Sequence, residues 1–248
     1  QARLDYGYMA VGTLTPMAKN LIKAAYGRAP DRSYIGGCSN GGRHTLVAAA
    51  RYGDQYDGFL AGAPGMHLPK AALAQMFKVQ QYARAASGTV DSGANAGLPD
   101  IATAVTAQEW SLLGARIAAK CDALDGVADG MVQNMAACQA AFNIATDVPT
   151  CAGARDGSCL TSVQKDVLAK VFAGVKGSAG QPYYSSFPWE PGVAGAGYAS
   201  WHFGAAQQLD PGALAFIFNT PPWTQADFFA TTGLKFALGY DLDAGYQK

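Results

Sequence analysis

The chain has 248 residues, a formal net charge of zero at pH 7, and a composition in which half of the residues are hydrophobic. Such a neutral, half-apolar composition is typical of a soluble secreted protein. The sequence shows no repeat, no basic cluster and no apolar run near twenty residues. We therefore expect no nucleic-acid or membrane partner, and we expect no organic cofactor.

The first predicted element is a helix from Pro16 to Tyr26, entered at Thr15 and left at Gly27. A short β-prone run follows at residues 33–35. An alanine-rich helical stretch then covers Arg43 to Tyr52. A glycine-rich segment joins that strand to that helix.

This segment contains Gly37-Cys38-Ser39-Asn40-Gly41, which matches the G-x-S-x-G nucleophile elbow of serine hydrolases. We predict Ser39 as the nucleophile, on a strained strand-to-helix turn where a side chain at either flanking glycine would clash with backbone. The N–H of Asn40, at the helix N-terminus, can donate to a developing oxyanion. The alternative is a glycine-rich turn that happens to hold a serine.

A nucleophilic serine needs a histidine base and an acid, which in α/β-hydrolases follow it in the order Ser, Asp/Glu, His. The chain has three histidines. His44 lies five residues after Ser39, where a surface or packing role is favoured, and His67 follows the strand candidate at 58–61. His202 has the right chain order but no strand–loop pattern around it, so a packed or substrate-facing role is favoured.

Residues 1–32 have room for little more than one helix, whereas an α/β-hydrolase places several strands before its nucleophile. No initiator methionine and no signal peptide begin the chain. We expect an internal piece of a larger enzyme, with the catalytic Asp and His in its remaining segments.

The composition and the predicted secondary structure change near Met66. Gly, Ala, Ser and Pro become frequent, and helical pieces at Leu68–Ala86, Thr106–Lys120 and Ser162–Ala173 are joined by long loops. Such an insertion after a core strand is usually a lid. The predicted fold class is α/β, a partial α/β-hydrolase core with a large, loop-rich lid insertion, and residues 1–66 form the core part.

Five cysteines leave one unpaired. Cys121 and Cys138 bracket an acidic loop, and Cys151 and Cys159 bracket a second short segment, so each local pair could close a small ring. Cys38 is then left over. It either forms a disulfide with a partner beside the missing histidine, or it is a buried free thiol.

The acidic loop brings Asp122, Asp125 and Asp129 into a compact turn interleaved with Gly126 and Gly130. Hard oxygen ligands of this kind suit calcium, although the spacing is not that of an EF-hand. A solvated acidic turn is the alternative.

Aromatic residues are frequent at 183–189 and 198–203. Such rings could stack on a planar aryl acid, although for most of them a place in the core of the lid is the favoured interpretation.

Three segments, Gly36–Arg43, Gln55–Gly65 and Cys121–Gly130, resemble the tannase and feruloyl esterase family, which also contains mono(2-hydroxyethyl) terephthalate hydrolase. The resemblance covers nearly the whole chain. It implies that Ser39 is the nucleophile and that the Asn40 N–H is one oxyanion donor. The second donor, the catalytic aspartate and the histidine belong to segments outside this chain.

The resemblance also implies that Cys38 is disulfide-bonded to a cysteine adjoining the catalytic histidine. It further implies a structural calcium ion in the acidic loop, which a disulfide between Cys121 and Cys138 would close. The implied calcium ligands are the side chains of Asp122, Asp125 and Asp129 and the backbone carbonyls of Val127 and Met131.

By the same resemblance, residues 67–235 form the lid and residues 236–248 begin the return to the hydrolase core. Trp201 matches a substrate-facing tryptophan, and Leu68 matches a pocket-lining position. Residues 202–216 contain no arginine, where the terephthalate hydrolase uses one to hold a free carboxylate.

The resemblance therefore implies a secreted or periplasmic serine carboxylic ester hydrolase that cleaves aromatic esters of the feruloyl or hydroxycinnamoyl type through an acyl-enzyme. The alternatives are a tannase, a mono(2-hydroxyethyl) terephthalate hydrolase, and a non-catalytic calcium-stabilised binding module.

Overall fold

The computed structural model describes residues 1–218 and 232–243. The chain divides into two compact units, Gln1–Leu68 and Pro69–Lys248. The predicted boundary between residues 66 and 67 lies two residues from this division. The assignment of the second unit as a lid stays a prediction, and so does the return to the core at 236–248, of which residues 244–248 lie outside the described residues.

The first unit begins with a long helical run. It passes from Ala2–Leu4 through a π-helical segment, Asp5–Met9, into helix α1, Ala10–Tyr26. The run ends at Gly27, whose φ of 76° is the left-handed conformation that closes many helices. The predicted helix end is confirmed.

The predicted start of this helix at Thr15 and Pro16 is wrong. Thr15 does not cap a helix, because its hydroxyl donates back to the carbonyl of Val11, one turn earlier, at 2.7 Å. Pro16 lies inside the helix, where its missing N–H removes one backbone hydrogen bond without ending the run.

The rest of the first unit is a β-α-β arrangement. Strand β1, Tyr34–Cys38, pairs in parallel with strand β2, Gly58–Gly62, and helix α2, Asn40–Arg51, connects them. Parallel strands need such a crossover. The register sets Cys38 opposite Gly62, so the end of β1, and hence Ser39, lies beside the end of β2.

Two glycines allow the β1–α2 turn to pack closely. A Cβ on Gly37 would lie 2.6 Å from the carbonyl carbon of Gly41, and one on Gly42 would lie 2.5 Å from the carbonyl oxygen of Gly62 and 2.9 Å from Cα of Pro64. A Cβ on Gly41 would meet nothing within 4 Å. The predicted steric role is therefore confirmed for Gly37 and wrong for Gly41, because the helix meets the segment after β2 one residue later, at Gly42.

The second unit is helical in its described part. Its helices are α3, Leu68–Ala85, which begins on the last residue of the first unit; α4, Ala107–Cys121; α5, Met135–Ala141; α6, Ile144–Asp147; α7, Ser162–Phe172; α8, Ala196–Gln208; and α9, Gly233–Leu238. Between α8 and the undescribed residues lie the short turn Asp210–Gly212 and the π-helical Ala213–Phe218. Helices α3, α4 and α7 match the three predicted ones closely, and Met76, Leu113 and Leu168 are fully buried in one hydrophobic core.

A capping box begins each of α4 and α7. Thr106 accepts a hydrogen bond from the amide of Glu109, whose carboxylate accepts one from the amide of Thr106. Thr161 and Gln164 form the same reciprocal pair at the start of α7. Each capping box satisfies two amides that a helix end leaves without partners.

A buried ion pair ties a disulfide loop to this core. Cys151 and Cys159 close the loop, and Arg155 within it donates two hydrogen bonds to the fully buried carboxylate of Glu109 and one to the carbonyl of Ala104. Burial by itself raises the pKa of Glu109. Hydrogen bonds from Arg155 and the Thr106 amide, together with the guanidinium charge, outweigh burial and hold that pKa below its usual value.

Removing the guanidinium by Arg155→Met should lower the free energy of unfolding at pH 7 by about 3–5 kcal/mol, since a buried carboxylate is left without its partner. In the wild type, a lowered Glu109 pKa adds stability above the unfolded pKa of about 4.3, and that stability is lost as the pH falls toward the folded pKa. In the variant the unpaired carboxyl prefers its protonated form. The difference in unfolding free energy between wild type and Arg155→Met, measured by urea unfolding, should therefore be smaller at pH 4 than at pH 7.

Arg116→Met is the matched control, because Arg116 is an exposed arginine on the same helix as Glu109. Its effect should stay within about 0.5 kcal/mol. Equal losses in the two variants, or a deficit at Arg155 that does not depend on pH, would contradict the assigned pair.

Gly42→Ala and Gly41→Ala form a second matched pair, because both glycines lie in the first turn of α2. Alanine normally stabilises a helix by up to about 1 kcal/mol relative to glycine. At Gly42 the added methyl group would clash with backbone, and we expect a loss of about 1–3 kcal/mol. Urea unfolding checks that the Gly42→Ala protein is less stable than the Gly41→Ala protein. Equal stability of the two variants would refute the packing described.

Candidate active site

Ser39 occupies the sharp turn between β1 and α2. Its backbone has φ 58° and ψ −119°, a region that residues with side chains rarely adopt. Such strained positions persist only where the surroundings enforce them, and they cluster at functional sites. A serine that begins a helix usually caps it with its hydroxyl. Ser39 makes no such capping bond in the described chain, so its Oγ is not used by the helix.

Three backbone hydrogen bonds hold Ser39 in this conformation. Its N–H donates to the carbonyl of Gly62 at 3.0 Å, and its own carbonyl accepts from the amides of Arg43 at 3.0 Å and Gly65 at 3.1 Å. The partners come from the end of β2, from the loop after β2 and from α2. The elbow is therefore fixed by the β-α-β packing rather than by local preference.

Asn40 is the first residue of α2. The first amides of a helix have no acceptor within the helix and lie at the positive end of its dipole, which favours an anion there. The side-chain Oδ1 of Asn40 accepts a hydrogen bond from Nε of Arg43 at 2.8 Å. The structure thus places both Ser39 and Asn40 at the predicted strand-to-helix turn, and their catalytic roles stay predictions.

Neither histidine of the first unit is placed as a partner for Ser39. His44 is half-buried on α2, and its Nε2 lies 3.2 Å from Nη2 of Arg43. Burial lowers the pKa of His44, and the charge of Arg43 lowers it further. His67 is exposed, with a φ of 47°, in the loop after β2. The predicted packing role of His44 agrees with this placement.

His202 is a buried core residue of the second unit. Its Nε2 lies 2.6 Å from the hydroxyl of Tyr82, and its ring stacks on Tyr198 with centroids 5.0 Å apart. Burial, assisted by the charge of Lys78, lowers the pKa of His202 to about 3. A histidine with so low a pKa is a weak base at neutral pH, so the packed interpretation holds.

The two predicted substrate-binding residues differ in exposure. Trp201, on α8, is 65% exposed, whereas Leu68 is half-buried at the start of α3. Other aromatic residues of the second unit are packed: Tyr183 and Phe203 are buried, and Trp189 stacks on Phe172 with centroids 4.0 Å apart. Their expected place in the core is confirmed. The contacts of Trp201 and Leu68 with a substrate stay predictions.

The carboxylates of the acidic loop are used as acceptors for backbone amides. Asp122 accepts from Asp129 and Gly130, Asp125 from Val127 and Gln133, and Asp129 from Met131, at 2.9–3.2 Å. The amides of Gln133 and Val127 lower the pKa of Asp125.

The loop's oxygen donors suit a hard cation by their chemistry. In the part of the chain that the structure describes, however, no three His, Cys, Asp or Glu side chains form a group that could hold a metal ion. The side chains of Asp122, Asp125 and Asp129 therefore do not form a ready metal site, and the carbonyls of Val127 and Met131 stay predicted ligands. Calcium binding stays a prediction.

The structure contains both predicted local disulfides, Cys121–Cys138 and Cys151–Cys159. Cys38 is a free thiol at the end of β1 and is exposed. The described residues therefore do not bury Cys38, and its burial by other segments of the protein stays an alternative. Its disulfide with a cysteine outside this chain stays a prediction.

No helix in the described ranges has both the length and the apolar run that crossing a membrane requires.

Gly42 and the stretch from Gly62 to Gly65 also shape the site. The role of Gly42 was missed, because the G-x-S-x-G pattern ends at Gly41 and no local signal shows where the loop after β2 passes. The Gly62-Ala-Pro-Gly65 stretch, part of the motif segment Gln55–Gly65, supplies two of the backbone partners of Ser39.

Comparison with known proteins agrees with this geometry. Residues 1–219 match the family model for tannase and feruloyl esterase. A mono(2-hydroxyethyl) terephthalate hydrolase from Piscinibacter sakaiensis is 40% identical over 219 residues, which cover 83% of this chain and 36% of that protein. A probable feruloyl esterase B-1 from Neosartorya fischeri is 32% identical over 182 residues, 73% of this chain and 31% of that protein.

Two solved structures have a similar fold. Feruloyl esterase B from Aspergillus oryzae superposes with a TM-score of 0.65 at 23% identity, over 98% of this chain and 47% of that one. Tannin acyl hydrolase from Aspergillus niger superposes with a TM-score of 0.51 at 26% identity, over 74% of this chain and 32% of that one. The chain spans about a third of the length of the curated relatives it matches.

These matches confirm the predicted fold class, a partial α/β-hydrolase-like core. The family match spans most of the sequence, and it includes the strained Ser39 turn, the parallel strand pair and both disulfides. The chain belongs to the tannase and feruloyl esterase family.

Proposed function

We propose that the whole protein is a serine carboxylic ester hydrolase that cleaves aromatic esters of the feruloyl or hydroxycinnamoyl type. The observation that carries this proposal is the backbone of Ser39, which is strained, held by three hydrogen bonds and placed at the N-terminus of α2. A turn that only connected a strand to a helix would not need a residue with a side chain at a positive φ.

The proposed reaction proceeds through an acyl-enzyme. The Oγ of Ser39 attacks the ester carbonyl carbon, and the N–H of Asn40 donates to the oxyanion of the tetrahedral intermediate. The intermediate collapses, the alcohol leaves, and the acid stays bound to Ser39 as an ester. Water then attacks this ester and releases the aromatic acid. The histidine that moves the protons and the aspartate that orients it are proposed to come from further segments of the enzyme.

The aromatic part of the proposal rests on two supports. The names of the related proteins refer to feruloyl esters, to tannin and to a terephthalate monoester. In the second unit, Trp201 is a large, exposed ring that packing does not account for, and we propose it as the contact for the acyl ring. Leu68, at the start of α3, is proposed as a second substrate-binding residue.

We also propose that the protein is secreted or periplasmic. Its two local disulfides are of the kind that persist in oxidising compartments and are rare in the cytosol.

Ser39→Ala should remove nearly all turnover of methyl ferulate by the whole protein while leaving ferulate binding in place, since only the chemistry needs the hydroxyl. The expected loss of kcat is on the order of 10⁴ to 10⁶-fold. Ser33→Ala, next to the start of β1, is the control, because the hydrogen bond from Ser33 to Asp57 uses its backbone amide and survives the change. Turnover by Ser39→Ala similar to that of the control would rule out the elbow as the nucleophile.

The lack of an arginine in residues 202–216 leads to a preference for esters without a second charge. A free carboxylate entering an aromatic pocket loses hydration and gains no charged partner. Lys78 is a poor substitute, because it is 5% exposed and its Nζ lies 4.5 Å from the centroid of the Phe187 ring.

We therefore expect kcat/KM for methyl ferulate to exceed that for mono(2-hydroxyethyl) terephthalate. The charge-assisted hydrogen bond that is missing contributes roughly 1.5–3 kcal/mol, which corresponds to about ten- to a hundredfold. Kinetics on the two esters side by side, with methyl gallate as a third, test this order. A ratio well below one would show that another group binds the carboxylate.

We propose one structural calcium ion in the acidic loop, held by Asp122, Asp125 and Asp129 with the carbonyls of Val127 and Met131. The chemistry of the donors supports this, since a carboxylate that accepts amide hydrogen bonds keeps further lone pairs for a cation. An ion at a hundred times its Kd would stabilise the fold by roughly 2.7 kcal/mol.

Chelation should therefore lower the Tm, and Asp125→Asn should abolish that dependence. Asp156→Asn is the control, because Asp156 also accepts an amide hydrogen bond in an exposed turn but lies in the other disulfide loop. A Tm that chelator does not change, with no calcium in elemental analysis, would leave a solvated acidic turn.

A further inference from the structure

Arg43 connects helix α2 to the N-terminal π-helical segment, Asp5–Met9. Its Nε donates to Oδ1 of Asn40 at 2.8 Å, its Nη2 donates to the carbonyl of Tyr6 at 2.8 Å, and its Nη1 donates to the carbonyl of Gly7 at 3.4 Å. The guanidinium also lies over the ring of Tyr6, 4.4 Å from its centroid. All of these residues belong to the first unit.

The stability of α2 alone does not explain an arginine at this position. Arg43 lies in the first turns of the helix, where the helix dipole disfavours a cation. No ion pair among residues 1–218 and 232–243 involves Arg43. Its guanidinium donates to the carbonyl oxygens of Tyr6 and Gly7, 37 and 36 residues earlier, and to the side chain of Asn40, and its Nη2 also lies 3.2 Å from Nε2 of His44.

The π-helical geometry of Asp5–Met9 contributes to this connection. Such segments are rare and occur frequently at functional sites. Here the segment offers the carbonyls of Tyr6 and Gly7 to a single planar guanidinium, and the fixed fork of an arginine can donate to several acceptors at once. A lysine could reach only some of them.

We infer that Arg43 is a positioning residue for the oxyanion site. It ties the side chain of Asn40 to the carbonyls of Tyr6 and Gly7, and so it fixes the first residue of α2 and the direction of the Asn40 N–H. This inference rests on the proposed ester hydrolysis. Oxyanion donors stabilise a transition state only when they are already oriented, and a displacement of about 1 Å can lower the rate about a hundredfold.

The chain provides a matched control at the other end of the same helix. Arg51 is the last residue of α2, and its guanidinium lies 4.3 Å from the centroid of the Tyr8 ring, in the same π-helical segment. Arg51 therefore makes the same kind of cation–π contact as Arg43, and it also packs α2 against this segment. It lies eleven residues from Asn40, at the opposite end of the helix.

The test compares Arg43→Met, Arg43→Lys, Arg51→Met and Asn40→Ala in the whole protein, with methyl ferulate as substrate. Arg43→Met should lower kcat about ten- to a hundredfold and leave KM within about twofold, because ground-state binding does not use the oxyanion donor. Arg43→Lys should recover part of the loss. Arg51→Met should lower the Tm to a similar degree and leave kcat within about twofold.

Asn40→Ala keeps the N–H but removes the side-chain acceptor, so it should reproduce the kcat loss of Arg43→Met. The double variant Asn40→Ala/Arg43→Met should be no slower than either single variant, since each single change removes the same tether. Affinity for phenylboronic acid, which forms a tetrahedral adduct with a nucleophilic serine, should fall by the same factor as kcat. Asn40→Ala and Arg43→Lys keep the test possible if Arg43→Met does not fold.

Equal effects of Arg43→Met and Arg51→Met on kcat would overturn the inference, and so would a loss of Tm at Arg43 without a loss of kcat. Additive effects of Asn40→Ala and Arg43→Met would also overturn it. The proposed function fails separately, if Ser39→Ala retains turnover. A whole protein that hydrolyses no ester would overturn both.

Discussion

The strained backbone of Ser39 is the constraint on which the first unit depends. A φ of 58° is held by hydrogen bonds to Gly62, Gly65 and Arg43, and these partners are in place only because β1 and β2 pair in one register. The close approach also requires Gly42 to lack a side chain. Sheet pairing, helix packing and the exposure of one hydroxyl are therefore parts of a single arrangement, in which a shift of either strand would move the serine.

The second unit is stabilised by different means. Its described part has helices and long loops, and covalent and ionic contacts hold the loops in place. The pair of Arg155 with the buried Glu109 ties one disulfide loop to the core, and Lys165 similarly donates to the carbonyls of Ala145 and Val148. Loops secured in this way give side chains a fixed support, which suits a unit in which we propose that the acyl ring of the substrate is recognised.

Local signals explain which features could be predicted from the sequence. The elbow, the helix α4 and the two local disulfide pairs are each defined by residues close together in the chain, so a short pattern is enough. The start of the first helix could not be predicted, because Pro16 normally begins a helix and here lies inside one. The steric role of Gly42 and the tether at Arg43 depend on contacts with segments about 20 and 36 residues away, and no short pattern records them.

The most direct test of the account is covalent labelling of the serine it depends on. The whole protein is treated with an alkyl fluorophosphonate, which phosphonylates activated serines, and the label is located by peptide mass mapping. The account predicts modification at Ser39 in the native protein and none after unfolding in urea, because only the folded protein brings the strained turn and the histidine base together. A label on another serine of the native protein, or equal labelling of Ser39 in native and unfolded protein, would contradict it.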